Sequence, residues 1–435
     1  MHEAHELLIP TWALIPFVLM LLSIAIMPLV AEHWWEHNKN KLIVSLVLGI
    51  PTAIYLFVAG GHEGIHELQH ALIGDYLPFI ILLGSLFVVT GGIFIQSYSA
   101  PTPLTNTMFL AIGAILASFM GTTGAAMLLI RPVITTIQKR KFQVHTILFF
   151  IAVVANCGGL LTPLGDPPLF LLYLRGVEFS WFFNLLPQWA VANGLLLIIY
   201  FVWDSILYKK EHPNVTEAAI LETEDKGVKL TGNLNFLFLA GIVISVAYLA
   251  DYKFLQSVVM LCMAGLSIVC TKKEVRAKNK FSWVPIIEVA FLFLGIFITM
   301  IPALLYLKQA SFNITEAWQF YYATGALSSF LDNAPTALSF FQLAEGVFNT
   351  QAVSGDVLPV LKDGYDHFPV LIMKAIAIGA VFFGSMTYIG NGPNFMIKAI
   401  AEENKITMPS FFGYMIRFSL IVLLPVYIVV QLLFI

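Results

Sequence analysis

The chain has 435 residues, of which 59% are hydrophobic and only 11% are charged, and its formal net charge is −3. A soluble domain carries about 25% charged residues, so this composition excludes an ordinary soluble enzyme, and the lack of a basic excess argues against a nucleic-acid partner. The apolar runs are of helical length and lack the alternating segments of about 10 residues typical of membrane β-barrels. We therefore expect an all-α polytopic membrane protein surrounded by a lipid bilayer.

The apolar runs between polar breaks predict about ten transmembrane helices. In chain order they cover 11–30, 42–60, 77–97, 145–175, 188–207, 233–250, 253–270, 285–306, 369–401 and 412–434. Two further apolar stretches, 105–136 and 316–345, are too short for two crossings each and are interrupted by GTTG and LDNAP. Each predicts a re-entrant helical hairpin, which enters the membrane and returns on the same side.

The short loops predict the orientation of the chain. Basic residues gather near 39–41, 139–141, 209–210 and 271–280, and the ten-helix scheme places all four loops on one side, which the positive-inside rule makes cytoplasmic. The His-rich loop at 60–70 and the acidic loop at 355–367 then lie outside. We expect a multi-pass protein of the inner membrane with both termini outside the cytoplasm.

Internal similarity predicts two inverted five-helix repeats. The segment ASFMGTTGAAML from Ala117 aligns with SSFLDNAPTALS from Ser328, and TPLGDPPLFLL from Thr162 aligns with TYIGNGPNFMI from Thr387. The predicted halves are 1–208 with hairpin 105–136 and 233–435 with hairpin 316–345, joined by a cytoplasmic linker at 209–232. Each half also contains one discontinuous helix, because Gly and Pro interrupt the aligned tracts.

Two acids are predicted to lie deep in the membrane, Asp166 in NCGGLLTPLGDPP and Asp332 in SSFLDNAPT. An aspartate at the centre of a bilayer costs about 2.5 to 3.5 kcal/mol on insertion scales, so both need a functional reason. Hard oxygen donors surround them, which favours Na⁺ or H⁺ over a soft metal. The predicted ion-binding residues are Thr122, Thr123, Asn156, Thr162, Gly165, Asp166, Asp332, Asn333, Thr336, Ser385, Thr387, Asn391 and Asn394, with Asp166 and Asp332 as the Na⁺ ligands.

The tracts NCGGLLTPLGDPP, LDNAPT and TYIGNGPN resemble the paired signatures of the ion transporter superfamily, which includes sodium/proton antiporters of the NhaD kind, citrate-type transporters and arsenite pumps. The resemblance implies a scaffold domain and a transport domain that carries the two hairpins, in a homodimer with elevator-like motion. The dicarboxylate branch has hairpin tips similar to Ser-Asn-Thr. Here the tips are Gly121-Thr122-Thr123 and Asp332-Asn333-Ala334, which disfavours carboxylate substrates.

These observations predict a secondary transporter, with no cofactor, that exchanges Na⁺ for H⁺ because each intramembrane aspartate binds either a proton or a cation. The alternative is a Na⁺- or H⁺-coupled citrate or dicarboxylate transporter, and arsenite efflux is a third possibility.

The segment His62-Glu63-Gly64-Ile65-His66, with His70 after it, fits the H-E-x-x-H pattern of zinc peptidases. An enzyme is not expected, because Gly64 disfavours a helix and the segment is predicted to be a short external loop. A solvated loop is the default interpretation, and a pH-sensing or metal-binding loop is the alternative.

Overall fold

A computed structural model describes residues 9–211, 227–309, 314–348 and 369–435. The predicted acidic loop 355–367 and most of the predicted linker 209–232 lie outside the described residues. Within these ranges the first half contains α1 Ile15–Val30, α2 Glu32–Trp35, α3 Asn38–Gln69, α4 Leu77–Thr90, α5 Pro103–Met120, α6 Thr122–Ile137, α7 Val144–Val153, α8 Pro167–Leu174 and α9 Leu186–Glu211.

The second half has helices in a corresponding order. They are α10 Leu234–Tyr248, α11 Lys253–Cys270, α12 Lys273–Lys278, α13 Val284–Gln309, α14 Ala317–Ser328, α15 Asn333–Phe348, α16 Val370–Phe383, α17 Gly392–Glu403, α18 Phe411–Tyr414 and α19 Leu424–Phe434. Short 3₁₀ turns cover Thr11–Leu14, Cys157–Leu161, Phe179–Leu185 and Gly384–Met386, and π-helical turns cover His70–Tyr76 and Met415–Leu423. The predicted all-α membrane fold is confirmed.

Among the described residues, eight helical stretches are long and apolar enough to span a membrane. The stretch Asn38–Thr90 contains two of the predicted spans, and Gly61, at φ 53° and ψ −128°, bends the chain between them. Two helices occupy each predicted hairpin segment: α5 and α6 meet at Gly121, whose φ of 81° is a conformation that favours glycine, and α14 and α15 cover the second segment. Their re-entry into the membrane stays a prediction.

Two local predictions are wrong. The segment 60–70 is helical and ends α3, because the break in helical geometry falls at Gly61 and not at Gly64. The predicted span 77–97 ends as a helix at Thr90, and Phe94–Ser97 (β1) pairs antiparallel with Val228–Thr231 (β2). The end of the predicted linker therefore forms part of a two-stranded ribbon, which pairing over a long sequence separation creates and which local hydropathy does not reveal.

The discontinuous helices form the interior of the protein. Of the residues Val144–Leu161, 94% are buried, against 22% of Lys253–Cys270. Most residues of α11 are not covered by the rest of the protein, so α11 is a peripheral helix whose apolar surface suits lipid. By contrast, α7 is enclosed by protein. Irregular backbone at membrane depth is tolerated only where protein or a polar cavity surrounds it, and the fold gives the breaks that enclosure.

Candidate functional site

The two discontinuous helices break in the same way. In each, a helix gives way to a 3₁₀ turn and an extended residue, and then a second helix begins at a proline-containing turn. The residues that precede the second helices are Asp166, with φ −146° and ψ 143°, and Asn391, with φ −147° and ψ 139°. Backbone N–H groups in the first turn of a helix have no intrahelical partner. Proline, which lacks an N–H, is therefore well accommodated at the start of both second helices.

Threonines hold both breaks against the hairpins. The Thr162 hydroxyl donates to the carbonyl of Ser118 at the end of α5, and it accepts from the N–H of Leu164 at 3.2 Å. In the second half, the Thr387 hydroxyl donates to the carbonyl of Ser329 at 2.5 Å and accepts from the N–H of Ile389 at 3.3 Å. The matched bonds support the predicted repeat, and its inversion across the membrane stays a prediction.

Asp166 is the point at which both hairpins and both breaks meet. It is 1% exposed. Its Oδ1 accepts from the Thr122 hydroxyl at 2.8 Å and from the Asn391 amide at 3.2 Å, and its Oδ2 accepts from the Asn333 amide. Thr122 and Asn333 are the first residues of α6 and α15, so one carboxylate joins the tips of both hairpins. The Gly165 carbonyl also accepts from the Thr122 N–H at 2.7 Å.

Asparagines connect the two breaks directly. The Asn391 amide donates to the Asn156 side chain at 3.2 Å, and the Asn156 amide donates to the Asn394 side chain at 2.8 Å. Asn394 in turn donates to the carbonyls of Gly384 and Thr387 at 2.8 and 3.0 Å. These three side chains are at most 3% exposed, and they satisfy carbonyl groups that the broken helices leave without helical partners.

The other predicted residues lie at the edge of this network. Asp332 is half-buried, and its Oδ1 accepts from the N–H of Ala334 at 3.0 Å, which places its carboxylate over the start of α15. The Thr336 hydroxyl donates to the carbonyl of Asp332 at 2.9 Å. Thr123 is half-buried at the first tip. The structure thus brings Asn333, rather than its neighbour Asp332, into hydrogen-bond contact with Asp166.

Tyr427 of α19 was not predicted from the sequence and contacts both breaks. Its hydroxyl lies 3.3 Å from the Cys157 sulfur and 2.5 Å from the hydroxyl of Ser385, a predicted ion ligand. Ser385 also donates to the carbonyl of Phe382 at 2.6 Å. A fully buried phenol in an apolar helix needs a polar partner, and that requirement is the signal in the sequence that could have identified Tyr427.

Three further acids are buried among the described residues, since Asp75, Asp204 and Glu345 are at most 2% exposed. Each of these three has a cationic partner: Asp75 pairs with Arg175 at 2.7 Å, Asp204 with Arg140 at 2.8 Å and Glu345 with Lys308 at 2.6 Å. Within the described ranges, no Lys or Arg nitrogen lies within 4.0 Å of the Asp166 carboxylate.

Among the described residues, the buried carboxylate of Asp166 therefore has neutral hydrogen-bond donors only. An unpaired buried charge is unfavourable, and either a proton or a bound cation removes that penalty. The Asn333 side-chain oxygen is also buried and has no hydrogen-bond partner among the described residues. Carboxylate and amide oxygens are ligands that suit a small hard cation, so Asp166 and Asn333 together could hold Na⁺.

The H-E-x-x-H segment does not form a metal centre in the described part of the chain, where no group of three His, Cys, Asp or Glu side chains could hold a metal ion. His70 instead lies with its Nδ1 3.6 Å from the Asp75 carboxylate.

A family model described as "Putative citrate transport" matches residues 6–435. The chain is also similar to Inner membrane protein YbiR of Escherichia coli (strain K12), with 28% identity over 132 residues, which is 28% of this chain and 36% of that protein. The matched region thus covers about a third of the curated relative's length.

Proposed function

The chain belongs to this citrate-transport family and is a membrane transporter, and we propose that it exchanges Na⁺ for H⁺ at Asp166. The observation that carries the proposal is the contrast among the buried acids. Asp75, Asp204 and Glu345 are paired with Arg or Lys, whereas within the part of the chain that the structure describes Asp166 has only the hydroxyl of Thr122 and the amides of Asn333 and Asn391.

Competition at one carboxylate couples the two ions. When Na⁺ binds, it occupies the carboxylate and amide oxygens and the proton leaves; when a proton binds, the charge that attracted Na⁺ is gone. Neither ion crosses without the other being exchanged, provided that the empty, charged carboxylate does not change sides. The burial of Asp166 keeps the charged, empty carboxylate from changing sides, because moving an unneutralised charge through a protein interior is strongly unfavourable.

A second candidate is cation-coupled transport of citrate or a related carboxylate, which the family description favours. In that case Asp166 and the neighbouring amides would hold only the coupling ion, and the anion would bind elsewhere. Citrate bound beside Asp166 would be repelled by it, since the described residues offer no cationic side chain within 4.0 Å.

Purified protein in proteoliposomes with an internal pH-sensitive dye separates the two candidates. An inward Na⁺ gradient should raise the internal pH, K⁺ should not, and labelled citrate should not accumulate. Citrate accumulation that depends on the Na⁺ gradient, without proton movement, would favour the second candidate. Failure of Na⁺ to move protons would overturn the antiport proposal.

A further inference from the structure

The polar side chains of α15 occupy a single row. The helix reads NAPTALSFFQLAEGVF, and all of its polar side chains recur at a spacing of three residues: Asn333, Thr336, Ser339, Gln342 and Glu345. Residues three apart on a helix are neighbours, with Cβ atoms about 5 to 6 Å apart. Because three residues turn an α-helix by about 300°, the side chains form one continuous ridge that winds around an otherwise apolar helix.

This polar ridge is buried along its whole length. Exposure ranges from 0% at Asn333 to 9% at Gln342. Buried polar groups are unfavourable unless they are hydrogen-bonded, and a helix needs none of them in order to pack. The hydroxyls of Thr336 and Ser339 donate to carbonyls four residues earlier, at 2.9 and 2.8 Å, which leaves lone pairs on both oxygens to accept from water or to contact a cation.

The two ends of the ridge differ in their surroundings. At one end, the Asn333 amide donates to Asp166, and the Asn333 oxygen has no partner. At the other end, Gln342 and Glu345 line a cavity of about 170 Å³ between α15, α13 and the end of α3. The ridge thus connects the central carboxylate with a cavity at the protein surface that the sequence predicts to lie outside the cytoplasm.

An ion pair stands at the cavity end. The Lys308 ammonium lies 2.6 Å from Glu345, and its side chain is 45% exposed, whereas that of Glu345 is 2% exposed. Arg175 and His70 line the same cavity, and both contact Asp75, at 2.7 and 3.6 Å. A cation that enters must therefore compete with Lys308 for Glu345.

The first hairpin has no equivalent ridge. At the same spacing in α6, the row from Thr122 continues with Ala125, Leu128, Arg131 and Ile134. Ala125, Leu128 and Ile134 are at most 4% exposed, and their apolar side chains offer nothing to a proton or a cation. The difference between the hairpins is a property of these residues and not of the backbone.

We propose that the polar ridge of α15 is the route by which protons and small cations pass between the cavity and Asp166, with Glu345 as the first carboxylate they meet and Lys308 as its competitor. The identity of the ions that use this route, Na⁺ and H⁺, rests on the proposed function. The existence of this route as a polar path, however, is tested without transport.

The first experiment uses Ag⁺, a small thiol-binding cation, on the full chain in lipid nanodiscs. Gln342→Cys and Ser339→Cys test the ridge, and Leu128→Cys is the matched control in α6. After exposure to Ag⁺ the protein is unfolded and alkylated, and peptide mass spectrometry reads each thiol separately. We expect Ag⁺ to protect the ridge thiols at least about tenfold faster than the control, a difference of about 1.4 kcal/mol in barrier. Equal rates in both hairpins would overturn the route.

The second experiment separates a route from a structural role. Glu345→Gln removes the negative charge at the cavity and should raise the apparent KM for Na⁺ about tenfold without changing the maximal rate. Lys308→Gln removes the competing ammonium and should lower the apparent KM for Na⁺. Glu402→Gln, which breaks the surface pair of Glu402 with Lys398 at 2.9 Å, is the control and should leave KM unchanged. If Glu345→Gln and Lys308→Gln shift the apparent KM for Na⁺ in the same direction, the proposed role of this ion pair is overturned.

The two experiments also distinguish the route from the function. Ag⁺ protection along the ridge in a protein that moves no protons would refute Na⁺/H⁺ exchange and leave the route standing. Sodium-driven proton movement without Ag⁺ protection would refute the route and leave the exchange standing.

Discussion

The two discontinuous helices have nearly the same backbone but different charge. Asp166 and Asn391 differ by only a few degrees in φ and ψ, and Thr162 and Thr387 make matching bonds to the hairpins. At the same position one break carries a carboxylate and the other an amide. The two breaks thus share glycine, threonine and proline and the same backbone, whereas a single side chain gives only the first of them a carboxylate.

The two residues also have complementary roles. Asp166 accepts hydrogen bonds from both hairpin tips, and Asn391 donates to Asp166 and to the carbonyl of Ala155 at 3.0 Å. The second break therefore supports the first, and exchanging their side chains should not be neutral. Four predictions follow from this asymmetry, in order of decreasing effect.

Asp166→Asn makes the two breaks alike and should abolish Na⁺-driven proton exchange in proteoliposomes. The protein should still fold, since an amide already occupies the same backbone geometry at Asn391. As control, Asp204→Asn removes another buried acid and its ion pair with Arg140, while the Arg140–Glu211 pair remains; this should lower the unfolding free energy by about 3 kcal/mol. Full exchange activity in Asp166→Asn would contradict the proposed mechanism.

Asn391→Asp places a carboxylate at both breaks. It replaces a donor to Asp166 and to the Ala155 carbonyl by a second carboxylate, and should destabilise the fold by about 3 kcal/mol, as for other uncompensated buried charges. Thermal unfolding in detergent measures this, and lower pH should restore part of the loss because protonation removes the repulsion. Asn391→Ala, which removes the donor and leaves a small cavity but adds no charge, should be less severe. If Asn391→Asp and Asn391→Ala unfold at the same temperature, electrostatic repulsion is not the cause of the destabilisation.

Gly165→Ala and Gly390→Ala test whether the breaks are equivalent in packing. A Cβ at Gly165 would overlap the carbonyl of Gly159, and a Cβ at Gly390 would lie 2.5 Å from the carbonyl of Gly384. Each should cost about 1 to 3 kcal/mol by overpacking, seen as a lower thermal midpoint. Gly194→Ala in α9, where a Cβ meets nothing within 4 Å, is the control. A loss at one break alone would show that they are not equivalent.

Tyr427→Phe removes the hydroxyl that contacts both breaks, through Cys157 and Ser385. The expected loss is about 1 kcal/mol, that of a typical hydrogen bond, again measured by thermal unfolding. Tyr248→Phe, at a side chain that is 82% exposed, should have no effect. An unchanged midpoint in Tyr427→Phe would show that α19 does not stabilise the crossing of the breaks.

The sequence by itself determined the membrane fold, the positions of both hairpins and both breaks, and Asp166 as an acid that needs an explanation. These features are local. About twenty consecutive apolar residues are long enough to span a bilayer, and closely spaced Gly and Pro weaken a helix locally. For the same reason the row of polar residues in α15 is visible in its sequence, although its connection to Asp166 is not.

Tertiary structure decided which of these residues meet. Asn333 reaches Asp166 across a separation of 167 residues, whereas Asp332 turns to the start of its own helix. The packing of the described residues also shows that Asp75, Asp204 and Glu345 have cationic partners there and that Asp166 does not. The physical reason is that the state of a buried charge depends on the few groups within hydrogen-bond distance, and distant segments supply those groups.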